Sequence, residues 1–386
     1  MARVLFVTWN GGGNLPPTIG VAQAMRQRGH RIGFLGQESQ RRHLEAAGFA
    51  LAAYRREAGS LSCLCGTERQ AQLMKTVWMN DDFAEDVYDK LDSEPFDFVV
   101  VDCMLIGALA RSKLYPVPTV VLVHSLFASV LKVRDGMLMM GNKLRVDAGL
   151  PPFDLSEATW ESKDLVLATT LNQFDKADPL SIPNVRYVGP VFEKRPKPEG
   201  WGLPWCENDA RPLVLVSFST NADQSSVALL QEALDSLGNL DARVLMTTGG
   251  AVLPESLRPP TNAKVMGFVP HELVLPHADV MITHGGHGSV MAALSHGVPL
   301  VCKPSLGADQ AIIAKRVEEL GLGKAIGVTS ELREAAKAVL GDPAFKVAAR
   351  QFKDMIARED GAVVAAKEIE AFLSRKESPS PSVLVV

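Results

Sequence analysis

The sequence is poor in cysteine, has no excess of basic residues and contains no long uninterrupted apolar run, and each shortage excludes a class of protein. Lys and Arg together number 40 against 44 for Asp and Glu, which gives a formal net charge of −4. A general nucleic-acid binder would need a basic surface, so that function is not expected. Apolar stretches such as 119–131 are short and are interrupted by His124 and Ser125, which argues against a membrane span.

Cysteine is scarce, odd in number and scattered along the chain. Cys63 and Cys65 are separated by one residue, but neither a second pair nor a nearby histidine completes a zinc site. The other cysteines are isolated in the sequence, at positions 103, 206 and 302. Reduced thiols are typical of the cytoplasm, and the first residues enter an apolar run without the layout of a cleavable signal. We therefore expect a cytoplasmic protein.

What the sequence does contain is the composition of a globular protein, with 47% apolar and 22% charged residues, and a length of 386 residues that suits two domains. Short apolar runs alternate with helical patterns throughout. The predicted strands are Val4–Thr8, Ile32–Leu35, Phe98–Asp102, Thr119–Val123 and Leu165–Thr169 in the first half, and Leu213–Phe218, Arg243–Thr247, Lys264–Gly267, Val280–Thr283 and Leu300–Cys302 in the second. Apolar strands joined by helices indicate an α/β class with two parallel sheets, each covered on both faces.

Proline marks the boundary between the two predicted domains, because prolines are frequent between Pro179 and Pro212. We predict an N-terminal domain over 1–205 with a linker at about 190–211, a C-terminal domain over 212–360, and a C-terminal segment over 361–386. In that last segment a helix is expected to pack back on the first domain, before a loose tail. Ligands of open parallel sheets bind beyond the carboxyl ends of the strands, so a deep cleft between the two sheets is the expected binding site.

The most informative segment is a glycine-rich turn with two histidines. The predicted strand Val280–Thr283 runs into the turn HGGHGS at 284–289, and a helical pattern follows. Glycine lets a backbone approach a ligand closely, and the start of a helix offers free N–H groups and a positive dipole end. A diphosphate fits this pattern, although neither a Walker loop nor the G-x-G-x-x-G motif is present. A tight turn with a capping serine would explain the glycines but not the histidines.

This turn, the segment GFVPH at 267–271 and the pair Asp309-Gln310 resemble the donor-binding signature of nucleotide-sugar glycosyltransferases. The similarity is to the inverting, metal-independent branch that glycosylates natural products such as macrolides and aromatic polyketides. It covers essentially the whole chain, strongly over 265–325 and more weakly over 1–50. The resemblance implies the GT-B fold, with two facing Rossmann-like domains. It also implies transfer of a hexose or deoxyhexose from a dTDP- or UDP-sugar to a bulky, largely apolar acceptor, with inversion and without a metal ion or other cofactor.

The resemblance further implies roles for individual residues of the second domain. Val269 would hold the base through its backbone, and Asp309 and Gln310 would bind the hydroxyls of the sugar. His284 would supply a hydrogen bond or the positive charge of an imidazolium. The positions that would bind the diphosphate are Ser219, Thr220, His284, Gly286, Gly288 and Ser289. Many UDP-sugar users carry a Glu in the helix after the turn, where this chain has Ala292, and its absence favours dTDP.

The general base is where the chain departs from the family pattern. Relatives usually have a Gly-His pair after the first strand, whereas this chain has Gly13-Asn14, and an asparagine side chain does not accept a proton near neutral pH. Asn14 is left with orienting the acceptor. Asp102, at the end of a predicted strand, matches the family's helper carboxylate and is one candidate base. His124, which follows the next strand, is another, unless it is a hydrogen-bonded histidine at the edge of the core. A water or an acceptor that ionises by itself is the remaining alternative.

The side chains expected to contact the acceptor are aromatic or thioether groups of the first domain, namely Trp78, Phe83, Met137 and Met140. Adaptable thioethers suit an apolar pocket, with filling of the core as the alternative. The expected partners are the acceptor and the donor, with a homodimer as a further option and neither nucleic acid nor a membrane. The missing base motivates an alternative function, a non-catalytic protein of the same fold that binds a nucleotide sugar or assists a partner glycosyltransferase.

Overall fold

The structure is a computed structural model and describes residues 1–55, 66–132, 134–154, 156–176, 182–196, 200–206, 208–219, 224–305 and 308–377. It divides into two compact units. The first comprises Met1–Arg195 and the C-terminal segment that begins at Glu359, and the second comprises Pro196–Arg358. The first crossing of the chain between the units thus falls within the linker predicted at about 190–211, and the second unit is inserted into the chain of the first.

The first unit is built on a seven-stranded parallel sheet with the strand order β3-β2-β1-β4-β5-β6-β7. Its strands are β1 (Arg3–Val7), β2 (Arg31–Gly36), β3 (Leu51–Ala53), β4 (Phe98–Asp102), β5 (Thr119–Val123), β6 (Leu165–Ala168) and β7 (Val185–Tyr187). Its helices before the linker are α1 (Leu15–Gln27), α2 (Arg41–Ala46), α3 (Gly66–Leu73), α4 (Asp82–Ser93), α5 (Ile106–Ala110), α6 (Phe127–Lys132), α7 (Arg134–Asp147) and α8 (Ser156–Glu161). A π-helical turn at Met74–Trp78 continues α3.

The central strands of this sheet are apolar at nearly every position, and β4 and β5 are buried along their whole length. Because successive side chains of a strand point to opposite faces, Phe98 and Val100 join the core on one side of the sheet and Val99 and Val101 join the core on the other. Helices cover both faces, as the continuous apolar strands predict.

The second unit contains a six-stranded parallel sheet with the order β10-β9-β8-β11-β12-β13. Its strands are β8 (Leu213–Ser217), β9 (Arg243–Thr247), β10 (Ala263–Met266), β11 (Val280–Thr283), β12 (Leu300–Cys302) and β13 (Gly323–Ala325). Its helices are α9 (Val227–Leu237), α10 (His271–Val274), α11 (His287–Ser295), α12 (Ala308–Glu319), α13 (Leu332–Gly341) and α14 (Pro343–Ile356). The predicted α/β class with two parallel sheets is confirmed.

The last helix, α15 (Gly361–Glu377), returns to the first unit and packs against α1. Ile369 of α15 and Ile19 of α1 are both fully buried in one core. Glu370 forms an ion pair with Arg28 at 2.5 Å, and its Oε1 lies 2.9 Å from Nε2 of His30. The C-terminal helix is thus a covering element of the first sheet.

In each sheet the order of strands reverses beside the first strand, so that β1 neighbours β4 and β8 neighbours β11. The space beyond the carboxyl ends of such strands is where open α/β sheets bind ligands. Among the described residues, no helix combines the length and the apolar character that crossing a membrane requires. The described cysteines, Cys103, Cys206 and Cys302, form no disulfide bonds with one another, and Cys63 and Cys65 lie outside the described residues.

Candidate functional site

The glycine turn lies at the carboxyl end of β11 and leads into α11. Gly285 has a φ of 83°, and a Cβ there would lie 3.1 Å from the backbone oxygen of Gln310. A Cβ on Gly286 would lie 2.5 Å from Nε2 of His284, so glycine at this position leaves room for the imidazole. At Gly288, which is exposed, no described atom outside its chain neighbours and the adjacent backbone of its own helix lies within 4 Å of the Cβ position. At positions 285 and 286 glycine is therefore required by close neighbours, and at position 288 it leaves open space.

The start of α11 has the geometry of an anion site. Its N-cap residue is Gly286, which has no side chain to accept from the first N–H groups of the helix. The first helical hydrogen bond runs from the N–H of Val290 to the carbonyl of Gly286, so the N–H groups of Gly288 and Ser289 precede the hydrogen-bond ladder of the helix. These groups and the positive end of the helix dipole favour a phosphate at this point.

His284 lies partly buried beside this helix start. Burial lowers the pKa of its imidazole from 6.5 to about 4, and the negative charge of Asp309 opposes this shift only in part. The side chain is therefore neutral at pH 7 in the ligand-free protein. Of the two expected contributions, a hydrogen bond and a positive charge, the second requires protonation when the anion binds. A neutral imidazole still donates one N–H to an anion, and bound negative charge would raise its pKa.

A hydrogen-bonded group of Ser217, Thr247 and His271 lies at the ends of β8 and β9 and at the start of α10, and the sequence reasoning did not identify it. Oγ1 of Thr247 donates to Oγ of Ser217 at 2.9 Å, and Oγ of Ser217 lies 3.0 Å from Nε2 of His271. Burial, followed by the charges of His284 and His296, lowers the pKa of His271 to about 4. The serine hydroxyl can then donate to Nε2 of a neutral imidazole. The position of His271 in the motif GFVPH was the only signal in the sequence.

The predicted sugar-binding pair lies in the first turn of α12. Gln310 is buried, and its Oε1 accepts from the backbone N of Ser305 at 3.0 Å and from its Oγ at 2.8 Å. Its Nε2 donates to Oε1 of Gln224 at 3.1 Å. Asp309 is partly exposed, and its charge acts on His284. In this structure the side chain of Gln310 anchors the segment at Ser305, and Asp309 is the member of the pair whose charge acts on the diphosphate turn.

The other donor candidates follow strands of the same sheet. Val269 and Ser219 are buried side chains that come after β10 and β8. Both positions therefore lie beyond the carboxyl ends of parallel strands, where ligands of such sheets bind. Thr220 lies outside the described residues.

In the first unit, Asn14, Asp102 and His124 come together at the carboxyl edge of the sheet. They follow or end β1, β4 and β5, which are neighbours. Nδ2 of Asn14 donates to Oδ2 of Asp102 at 2.7 Å, and the same oxygen lies 3.5 Å from Nδ1 of His124. The backbone N–H of Met104 donates to Oδ1 of Asp102 at 2.9 Å. The three residues that the sequence predicted near the acceptor thus form one connected group.

Within the described part of the chain, Asp102, Cys103 and His124 form the one group of His, Cys and acidic side chains that is spaced for a metal ion. The donor atoms lie within 4.8 Å of one another, and Sγ of Cys103 lies 3.7 Å from Nδ1 of His124. Both oxygens of Asp102, however, already accept N–H bonds, from Asn14 and from Met104. The group is therefore better suited to hydrogen bonding than to metal coordination.

The predicted acceptor contacts have different surroundings. Trp78 is partly buried and packs edge-on against Trp9, with ring centroids 6.0 Å apart. Phe83 is fully buried and stacks on a tyrosine of the core at 3.8 Å, which leaves it no surface for an acceptor and corrects its assignment. Met140 is partly exposed on α7, and the side chain of Met137 lies outside the described residues.

A cavity of about 50 Å³ lies between α5, α7 and α8 of the first unit. Its apolar lining includes Ile106, Leu109, Val130, Leu138, Phe153 and Trp160. Cys103 also lines it, and this thiol contacts His124. Pockets for whole drug-sized ligands measure about 300–1,000 Å³, so this cavity has room for one apolar substituent of an acceptor.

Two basic side chains, Arg145 and Lys163, also line the cavity. Nη1 of Arg145 donates to the carbonyl of Ala110 at 3.2 Å, and Nζ of Lys163 donates to the carbonyl of Leu109 at 2.7 Å and to Ser112 at 2.8 Å. Burial lowers the pKa of Lys163 to about 7. Because these N–H groups donate to the last carbonyls of α5, the two side chains cap the carboxyl end of that helix.

Comparison with known proteins points to glycosyltransferases. Residues 231–371 match the family described as erythromycin biosynthesis protein CIII-like, C-terminal domain. The chain is 30% identical over 427 aligned residues to 4′-demethylrebeccamycin synthase of Lentzea aerocolonigenes, covering 96% of this chain and 100% of that protein.

Solved structures give the same result. The calicheamicin glycosyltransferase CalG4 matches with a TM-score of 0.78 and 25% identity, covering 98% of this chain and 100% of the other. The spinosyn rhamnosyltransferase SpnG, complexed with thymidine diphosphate, matches with a TM-score of 0.71 and 18% identity, over 95% of this chain and 100% of the other. The second likeness shows the fold alone.

Proposed function

Because this chain belongs to the family of glycosyltransferases of natural-product biosynthesis, we propose that it transfers a hexose or deoxyhexose from a dTDP- or UDP-sugar to a bulky, largely apolar acceptor. The transfer inverts the anomeric centre and uses neither a metal ion nor another cofactor. A hydroxyl or N–H group of the acceptor attacks the anomeric carbon from the side opposite the diphosphate. The bond from that carbon to the diphosphate oxygen breaks, and its electron pair leaves with the diphosphate.

The observation that carries this proposal is the uncapped start of α11 behind the glycine turn. The N–H groups of Gly288 and Ser289 precede the hydrogen-bond ladder of the helix, and the space at Gly288 is open. Such a site binds phosphate oxygens through N–H groups and the helix dipole. His284 adds a side-chain donor at the same place. A diphosphate leaving group is the chemistry that this arrangement fits best.

The same groups support departure of the diphosphate without a metal ion. Preorganised donors aimed at developing negative charge are commonly worth about 10²–10³-fold each in rate. Here the donors are backbone N–H groups and the imidazole of His284, and a diphosphate beside that imidazole would favour its protonation. The charge that a cation would otherwise neutralise is compensated by the protein itself.

The preference for thymidine over uridine donors rests on Ala292, a partly buried residue in the second turn of α11. A methyl group cannot accept hydrogen bonds from ribose hydroxyls, so the site gains nothing from the 2′-hydroxyl of a uridine nucleotide there. The SpnG structure was obtained with thymidine diphosphate. We propose that dTDP-sugars are the preferred donors.

The test is a transfer assay with dTDP- and UDP-hexoses against a panel of phenolic and alcoholic natural products, including 7-hydroxycoumarin, with products identified by mass spectrometry. A glycoside whose anomeric configuration is opposite to that of the donor, formed at an unchanged rate in the presence of EDTA, supports the proposal. The second candidate function, a non-catalytic partner of another glycosyltransferase, is favoured by Asn14 at the position of the usual histidine. That function is supported if dTDP binds and no donor is consumed with any acceptor.

A further inference from the structure

The connected group of Asn14, Asp102 and His124 assigns the general base, which the sequence left open between the carboxylate and the imidazole. We infer that Nε2 of His124 takes the proton from the acceptor and that Asp102 is the residue that positions this imidazole. The inference rests on the proposed sugar transfer. It replaces the histidine expected after β1 with one that follows β5, two strands away in the sheet.

Burial separates the two candidates. The side chain of Asp102 is only 1% exposed, whereas that of His124 is 17% exposed. Both oxygens of the carboxylate accept N–H bonds, from Asn14 and from Met104. A carboxylate enclosed in this way cannot contact the hydroxyl of a bound acceptor. Asp102 therefore acts on the reaction through a neighbour.

That neighbour is the imidazole of His124. Oδ2 of Asp102 lies 3.5 Å from Nδ1, and no hydrogen bond or ion pair of Nε2 is found among the described residues. A carboxylate facing Nδ1 favours the tautomer with its proton on Nδ1 and a free electron pair on Nε2. The distance is longer than a strong hydrogen bond, as is common at catalytic pairs without substrate. Nε2 is thus the basic nitrogen of this partly exposed side chain.

Asn14 has a defined part in this arrangement. Its Nδ2 donates to the carbonyl of Trp9 at 2.9 Å as well as to Asp102, and its Oδ1 accepts from the N–H of Gly11 at 3.1 Å. All of its polar atoms are therefore engaged inside the protein. Asn14 fixes the rotamer of Asp102 and leaves the acceptor to His124.

The apolar cavity places the acceptor within reach. Cys103 lines the cavity, and its Sγ lies 3.7 Å from Nδ1 of His124. A substituent bound in the cavity therefore holds the rest of an acceptor beside the imidazole. In the reaction the acceptor proton moves to Nε2 as the acceptor atom bonds to the anomeric carbon. The resulting imidazolium is stabilised by Asp102 and later gives its proton to water.

The experiment compares wild type with His124→Gln, Asp102→Asn and the control His277→Gln, which changes an exposed histidine of the second unit. The acceptor is a phenol that wild type glycosylates in the transfer screen. It is assayed at one pH below and one pH above the pKa of its hydroxyl. Below it, kcat of His124→Gln should fall by about 10²-fold or more with little change in KM for the donor. Above it, the loss should shrink to within about threefold, because the acceptor no longer carries the proton.

Asp102→Asn should show the same dependence on acceptor ionisation with a smaller loss, and His277→Gln should behave as wild type. Calorimetry with dTDP checks that each variant retains a folded donor unit. Equal losses in His124→Gln at both pH values, or wild-type rates at both, would overturn the assignment. So would one equivalent of zinc that copurifies with wild type and is absent from His124→Gln. A wild type that binds dTDP but glycosylates nothing refutes the proposed function instead.

Discussion

Lowering the pH should destabilise the second unit through two partly buried histidines, His271 and His284. Burial holds the pKa of each near 4 in the folded protein, compared with an ordinary value of 6.5. The unfolded chain therefore binds more protons than the folded chain between these two values, and stability falls as the pH falls below about 6.5. Between pH 8 and pH 5, the two pKa values correspond to a loss of about 2 kcal/mol for each histidine.

Hydrogen exchange of peptides from β8 and β11 measures this loss in the second unit by itself, as a free energy of opening corrected for the intrinsic exchange rate at each pH. The informative variant is His271→Gln, whose amide can still accept from Ser217 but cannot titrate. The difference in the free energy of opening between pH 8 and pH 5 should be about 2 kcal/mol smaller in this variant than in wild type. In the control His277→Gln, at an exposed position, this difference should equal that of wild type. Equal pH dependence in wild type and His271→Gln would refute the reasoning.

Further predictions concern the glycine turn and the donor. His284→Ala should lower kcat/KM by about 10²-fold by removing a donor to the leaving diphosphate, and unchanged kinetics would reject this role. Gly285→Ala should lower the melting temperature because of its positive φ and its contact with Gln310, whereas Gly288→Ala should melt like wild type but bind dTDP more weakly in calorimetry. Asp309→Ala should raise KM for the donor sugar while the Kd for dTDP stays within about threefold, and a tenfold weaker Kd would place this residue in another subsite. In competition assays dTDP should bind up to about tenfold more tightly than UDP, and tighter UDP binding would contradict the argument from Ala292.

The strands that the sequence predicted are the ones that run through apolar segments. The predicted bounds of β4, β5, β9, β11 and β12 agree with the structure, because each is a continuous apolar run in a parallel sheet. The strands that the sequence missed are β3, β7 and β13, which lie at sheet edges and have three residues each. An edge strand is covered less completely, so its sequence needs no long apolar run.

The sequence indicated candidate residues for the site, but it did not indicate the contacts and charges of their side chains. The resemblance to the family, together with position at or after a strand, singled out Asp102, and position after a strand singled out His124. Parallel strands end at one edge of a sheet, so the two residues were expected to lie near each other. The hydrogen bond from Asn14 to Asp102 could not be predicted from the sequence. The two residues are far apart in the chain, and their sequence separation does not determine the distance between their side chains. The sequence left open whether His284 supplies a hydrogen bond or a positive charge, because burial, which the sequence does not show, controls its pKa. Phe83 was misassigned because its helix turns it toward the core.

The insertion of the second unit into the chain of the first has a consequence for biosynthesis. Helix α15 covers the first sheet, but the ribosome makes residues 196–358 between the linker and this helix. At 5–20 residues per second, that delay is roughly 8–30 s, during which the α1 side of the first sheet lacks its cover. A nascent chain in this state exposes apolar surface around Ile19 that the finished protein hides. A stop codon before Gly361 would therefore remove α15 from the first unit, although most of that unit is synthesised first. The second unit would keep its whole sequence.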